Sequence, residues 1–163
     1  MAIIDEVLKA NEIYAKNFKH GKLPMHAAKK LAVLACMDAR LVLSQILGTA
    51  IGDIHMIRNA GGIATEDALR SLIISHYLLG TREFMIINHT DCGMLTFTDD
   101  DFKASIQKDT GIKPEWAAEA FADLDEDVRQ SIARIKASPF IPHKESVRGF
   151  IFDVATGKLR EVS

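Results

Sequence analysis

The two cysteines of this 163-residue chain stand in Leu34-Ala35-Cys36-Met37-Asp38-Ala39-Arg40 and in His89-Thr90-Asp91-Cys92-Gly93-Met94. Thiolate sulfur and imidazole nitrogen are ligands for Zn²⁺, and two sulfurs with one nitrogen leave a fourth tetrahedral position for water or substrate. An open position points to catalysis rather than scaffolding. Cys36 and His89 each follow an apolar run, Leu31–Ala35 and Phe84–Asn88, that reads as a buried parallel strand. Strand ends are where open α/β sheets place their ligands. A Cys36–Cys92 disulfide, or two unrelated buried thiols, is the competing reading. Disulfides staple mainly small secreted chains, and residues 1–9, with Asp5 and Glu6 inside the first apolar stretch, do not read as an export signal. A reducing cytoplasm is the expected compartment.

Catalysis by such an ion at neutral pH requires acidifying its bound water, to a pKa of about 7 in favourable cases, and holding the resulting hydroxide for attack. Asp38, two residues beyond Cys36, can point back toward the ion, and Arg40 can grip its carboxylate with forked hydrogen bonds. The bland alternative is a helix-terminal acid beside a surface cation. Released from Arg40, Asp38 could instead swing onto the metal and close the site. That keeps open a non-enzymatic zinc or thiol sensor, in which Asp38 caps the metal permanently or the cysteines oxidise.

Positioning these groups requires a particular order of elements. Ile4, Val7, Leu8, Ile13 and Tyr14 fall near helical spacing, predicting an amphipathic helix over Ile3–Phe18 whose apolar face covers its own domain or a partner subunit. His20–Lys30 reads as a loop broken by Gly21 and Pro24. Strands are expected at Leu31–Cys36, Asp53–Arg58 and Glu83–His89, with a short helix at Leu41–Leu47 closed by Gly48 and a long one from the Thr65 cap to Leu79 ended by Gly80. Further helices are expected at Asp100–Asp109 and Ala117–Ile135, and a hairpin or strand plus tail at Val147–Val154 and Lys158–Val162. Alternating strands and helices define an α/β fold with a mostly parallel central sheet flanked by helices. The length fits a single domain over 1–163, with residues 1–30 as a helix-and-loop arm and 31–163 as the core.

Composition narrows the partners. A net charge of −2 argues against nucleic acid, which draws on clustered Lys and Arg, and no apolar run reaches the roughly 20 residues that span a bilayer. Small or neutral substrates fit better. The acidic stretch Asp99–Asp127 reads as a solvated helical face, since Asp99-Asp100-Asp101 lacks the spacing of a calcium loop. Gly61-Gly62 has neither G-x-G-x-x-G nor a Walker lysine around it, so it reads as a place of close backbone approach beside the metal pocket. Of the remaining histidines, His20, His26, His55, His76 and His143, His26 is the best placed proton shuttle, though each reads first as a surface or core residue. Tyr77 and Trp116 read as packing residues, and Arg58 and Asn59 as braces of the turn or of a dimer.

Together Cys36-Met37-Asp38-Ala39-Arg40, Ile57-Arg58-Asn59-Ala60-Gly61-Gly62 and His89-Thr90-Asp91-Cys92-Gly93-Met94 resemble the β-class carbonic anhydrases, particularly their short prokaryotic branch. The resemblance implies a zinc enzyme interconverting CO₂ and bicarbonate, an obligate homodimer whose N-terminal helix packs on its neighbour. It also implies Cys36, His89 and Cys92 on the metal, Asp38 and Arg40 as the catalytic dyad, and Asp38 as fourth ligand in closed forms. Ala39 stands where many members carry Ser. No Gln precedes Gln45, whereas plant-like members use one before the first strand to contact substrate. Substrate placement then falls to backbone around Gly61, Gly62 and Gly93 or to apolar packing. An apolar pocket suits linear CO₂ and equally COS or CS₂, which similar folds with the same ligands hydrolyse.

Overall fold

In the computed structural model, which describes residues 2–163, five strands form one sheet in the order β2-β1-β3-β4-β5. In chain order the elements are α1 (Ile3–Lys16), β1 (Leu31–Cys36), α2 (Leu43–Ile46), β2 (Ile54–Asn59), α3 (Glu66–Leu79), β3 (Glu83–His89), α4 (Asp99–Thr110), α5 (Leu124–Ala137), β4 (Val147–Phe152) and β5 (Leu159–Val162). The pairs β1/β2, β1/β3 and β3/β4 are parallel; β4/β5 is an antiparallel hairpin. This is the single-domain, mostly parallel α/β architecture expected.

The apolar run of β1 is continuous because both of its faces are covered. Ala32 and Leu34 join Phe84 and Ile86 of β3 in a cluster with Ala68 and Leu72 of α3 and Ile135 of α5. Their neighbours Val33, Ala35 and Ile87 turn to the other face, against Leu41, Leu43 and Phe152. The period of two sorts the strand residues between the layers. On the α5 face a Cβ on Gly149 would lie 2.3 Å from Val128 Cγ1 and 2.7 Å from Ile132 Cδ1, so α5 rests directly on the backbone of β4.

Helix ends follow local chemistry. The Thr65 hydroxyl accepts from the Ala68 N–H, and Gly80 closes α3 in the left-handed conformation. The expected helix over Ala117–Ile135 is shorter. Asp123 caps α5 by accepting from the Glu126 N–H, and the residues before it follow an irregular path, with Glu119 at φ 59°. Asp99 holds that path, its two carboxylate oxygens accepting from the N–H groups of Glu119 and Ala120. The acidic stretch is therefore not simply a solvated face: Asp99 ties two segments together and Asp127 is buried against Asn88. Tyr77 and Trp116, read as packing residues, lie largely exposed, Tyr77 edge-on to His76 and Trp116 beside Phe102. None of the described residues of α1 is buried, and no helix is long and apolar enough to cross a membrane.

Candidate metal centre

Strand β1 has β2 on one side and β3 on the other, so the chain leaves the sheet in opposite directions on either side of β1. Cys36 ends β1 and His89 ends β3 at the carboxyl edge of this switch point, where such sheets bind ligands. The loop returning Cys92 is pinned to the end of β4: the Thr90 N–H donates to the Phe152 carbonyl, and Thr90 Oγ1 accepts from the Val154 N–H. Asp91 then adopts φ 55°, reversing the chain.

The result is a buried trio. Cys36 and Cys92 are free thiols, and with His89 they offer ligand atoms that all lie within 4.8 Å of one another. The sulfurs are 4.0 Å apart, which excludes the disulfide reading here and approaches the roughly 3.8 Å edge of a tetrahedron built on Zn–S bonds of 2.3 Å. His89 Nδ1 is 2.8 Å from the Thr90 carbonyl, the contact of an N–H donor that fixes the tautomer. His89 Nε2 is buried with no hydrogen-bond partner. A fully buried imidazole nitrogen left bare beside two sulfurs is a donor set that fits zinc.

The electrostatics agree with a site for a cation. The Cys92 thiol holds Cys36 down to about 4, against the opposing effect of burial. The same contact, with burial adding to it, pushes Cys92 up. Burial opposes charge on His89, yet its contact with Cys36 and the Thr90 carbonyl leave its pKa raised. The cavity favours positive charge against sulfur, and a metal would take the place of those protons.

Asp38 and Arg40 stand at the rim. Arg40 Nε donates to Asp38 Oδ1 at 2.9 Å and Nη2 to Oδ2 at 2.8 Å, while the Arg40 backbone N–H reaches Oδ1 at 2.8 Å. This grip holds the Asp38 carboxyl well below the usual carboxylate range. Asp38 Oδ2 lies 3.7 Å from His89 Nε2, next to the donor trio. Arg58 braces the turn from β2, donating from Nε and Nη2 to the Cys36 carbonyl and from Nη2 to the Asp38 carbonyl. Asn59 closes the following turn through both directions of hydrogen bonding with the Ile63 backbone.

A cavity of about 320 Å³ opens over these groups, walled by Met37, Ala60, Gly61, Gly93, Met94 and Phe97. Gly62 lies outside this wall: at φ 73°, its Cβ position falls 2.7 Å from the Cys36 backbone nitrogen, so it sits behind the ligand rather than facing substrate. Four of the other histidines, His26, His55, His76 and His143, gather at the opposite, amino end of the strands, while His20 lies in the N-terminal arm against Phe18. His26 lies against Gly80, His55 bonds Ser75, His76 faces the Thr81 carbonyl and His143 meets Arg82. His26 is thus too remote to shuttle protons from this pocket. Sequence reading missed Asp91, whose carboxylate accepts from Arg40 Nη1 at 2.7 Å across 51 residues of chain. An acid inside a ligand motif offers no sequence signal of such a partner.

The fold and this constellation define a class. Residues 31–159 match the carbonic anhydrase family model. The chain is 56% identical over its whole length to Beta-carbonic anhydrase 1 of Mycobacterium tuberculosis, covering 99% of that protein. It superposes on a carbonic anhydrase of Streptococcus mutans with a TM-score of 0.95 at 41% identity, covering 100% of this chain and 99% of the other. A carbon disulfide hydrolase of an Acidianus species is 35% identical, over 97% of this chain and 88% of that protein. The chain belongs to the β-carbonic anhydrase family.

Proposed function

We propose that the protein catalyses the reversible hydration of CO₂ to bicarbonate and a proton, with Zn²⁺ held by Cys36, His89 and Cys92. The observation that carries this is the joint geometry: three buried donor atoms within 4.8 Å, one of them an unpartnered imidazole nitrogen, beside a carboxylate gripped by Arg40. Zn²⁺ on these three residues would supply Lewis acidity, enough to lower the pKa of a water toward about 7. Asp38 is ionised and accepts the hydrogen bond that turns the attacking oxygen toward carbon. Arg40 keeps that carboxylate charged and oriented. The walls formed by Met37, Ala60, Met94 and Phe97 hold linear, apolar CO₂ without competing for it by hydrogen bonding, with the Gly61 and Gly93 backbone beside it. The balance is one water and one CO₂ to one bicarbonate and one proton, the proton passing to buffer.

Stopped-flow CO₂ hydration on protein of known metal content tests this. Cys36→Ser and His89→Ala are expected to lose zinc. Asp38→Ala is expected to keep zinc and lose activity about a hundredfold or more, the scale of a positioned proton acceptor. Full activity in metal-free protein would overturn the reading.

The similarity to a carbon disulfide hydrolase motivates a second reading in which COS or CS₂ enters the same pocket. Higher identity over the whole chain to a β-carbonic anhydrase favours CO₂. Side-by-side assays decide, and H₂S release outpacing CO₂ hydration would reverse the preference. Both Asp38 oxygens are engaged by Arg40 and the two thiols are free, which supports an open site over a permanently capped sensor. We further read residues 1–30 as an arm that packs on a second copy in a homodimer around cores formed by 31–163, in a cytoplasmic setting that keeps the thiols reduced.

A further inference from the structure

We propose that Asp91 is a positioning residue which, through Arg40, keeps the Asp38 carboxylate off the metal. The inference rests on the zinc site proposed above. Asp38 Oδ2, 3.7 Å from His89 Nε2, is a near neighbour of the donor trio. A carboxylate at that distance completes a tetrahedral zinc site unless its oxygens are held elsewhere. Arg40 holds both of them, and its grip works only while the guanidinium itself stays in place. Two contacts from one residue fix it: Nη1 donates to Asp91 Oδ2 at 2.7 Å, and Nη2 donates to the Asp91 carbonyl at 3.0 Å. The planar fork is thus spanned by Asp38 on one side and Asp91 on the other, a geometry a single ammonium cannot reproduce.

The backbone at Asp91 makes this arrangement specific. Its φ of 55° is a conformation that Asp tolerates and that costs most other side chains energy. The same reversal that returns Cys92 to Cys36 aims the Asp91 carboxylate at Arg40. One residue therefore both closes the ligand loop and steadies the arginine that restrains Asp38.

Zinc transfer from the loaded full-length protein to an excess of a chromophoric chelator reads the effect without reference to turnover. Asp91→Gly removes the carboxylate and leaves the positive φ unstrained. Because the Arg40 and Asp91 side chains are 46% and 78% exposed, the expected effect is the size of a surface ion pair. Zinc release should slow about two- to fivefold, as Asp38 spends more time as a fourth ligand. Adding Asp38→Ala to Asp91→Gly should return release to the rate of Asp38→Ala alone. Unchanged or faster release from zinc-replete Asp91→Gly, or a slowing that persists in the double variant, overturns the proposal. Absence of zinc from the unmodified protein would instead overturn the metal-site reading on which it rests.

Discussion

Arg40 offers its guanidinium to two carboxylates at once, and a lysine there would offer one point charge. Arg40→Lys is therefore expected to retain zinc but to lower CO₂ hydration by about tenfold or more, measured on metal-quantified protein. Asp38, held well below the usual carboxylate range, stays ionised through mildly acidic pH, so a fall in activity between pH 8 and 6 reports another group. Asp127 behaves oppositely. Burial raises its pKa from 3.8 to about 6, and its partner Asn88 keeps a buried Oδ1 without a hydrogen bond. Between those two values the folded state binds more proton than the unfolded chain, so this group lowers stability as pH rises through the window and the loss is complete above it. Asp127→Asn removes the titration and places an amide donor near Asn88 Oδ1. Thermal melts of metal-free protein should show a higher Tm for the variant at pH 7.5 and a smaller difference at pH 4.

Among the elements, the contact between α5 and β4 is the tightest constraint. Gly149→Ala drives a methyl into Val128 and Ile132 on a buried, β-branched surface. A cost of about 1–3 kcal/mol is expected, a drop of several degrees in Tm, with zinc content unchanged because the site lies at other strand ends. Gly62→Ala should act the other way, lowering zinc occupancy by displacing the Cys36 backbone. Strands β1 and β3 were legible because doubly buried strands are continuous apolar runs, and α3 because Thr65 and Gly80 punctuate it. The expected helix over Ala117–Ile135 begins too early, since Ala117, Ala118, Glu119 and Ala120 favour helix locally. The Asp99 carboxylate claims the backbone N–H groups at 119 and 120, a contact that no window of local propensity contains.

At the scale of the molecule, the apolar side chains of α1 have no cover within one chain: Ile3, Ile4, Val7, Leu8, Ile13 and Tyr14 are all exposed. An apolar stripe of this extent is the mark of an interface, and in the homodimer proposed above a second copy of the chain would cover it symmetrically. On that proposal the unmodified protein sediments as a dimer, and Ile4→Lys with Leu8→Lys is expected to shift it to monomer. A dimer unaffected by both charges would remove α1 from the interface.

Sequence alone singled out the candidate donors, the Asp38–Arg40 pair and the strands that lead to them, because Cys36, Asp38, Arg40, His89 and Cys92 stand at or just beyond the ends of apolar runs whose burial is written in composition. Tertiary structure decided which groups meet. Only the parallel pairing of β1 with β3 brings Cys36 within 4.0 Å of Cys92, and only the reversal at Asp91 presents a second carboxylate to Arg40. It also removed His26 from the pocket and Gly62 from its wall, and it buried Asp127 beneath Asn88. Contacts between residues tens of positions apart arise from the sheet order and from packing of whole faces, quantities that no local spacing encodes.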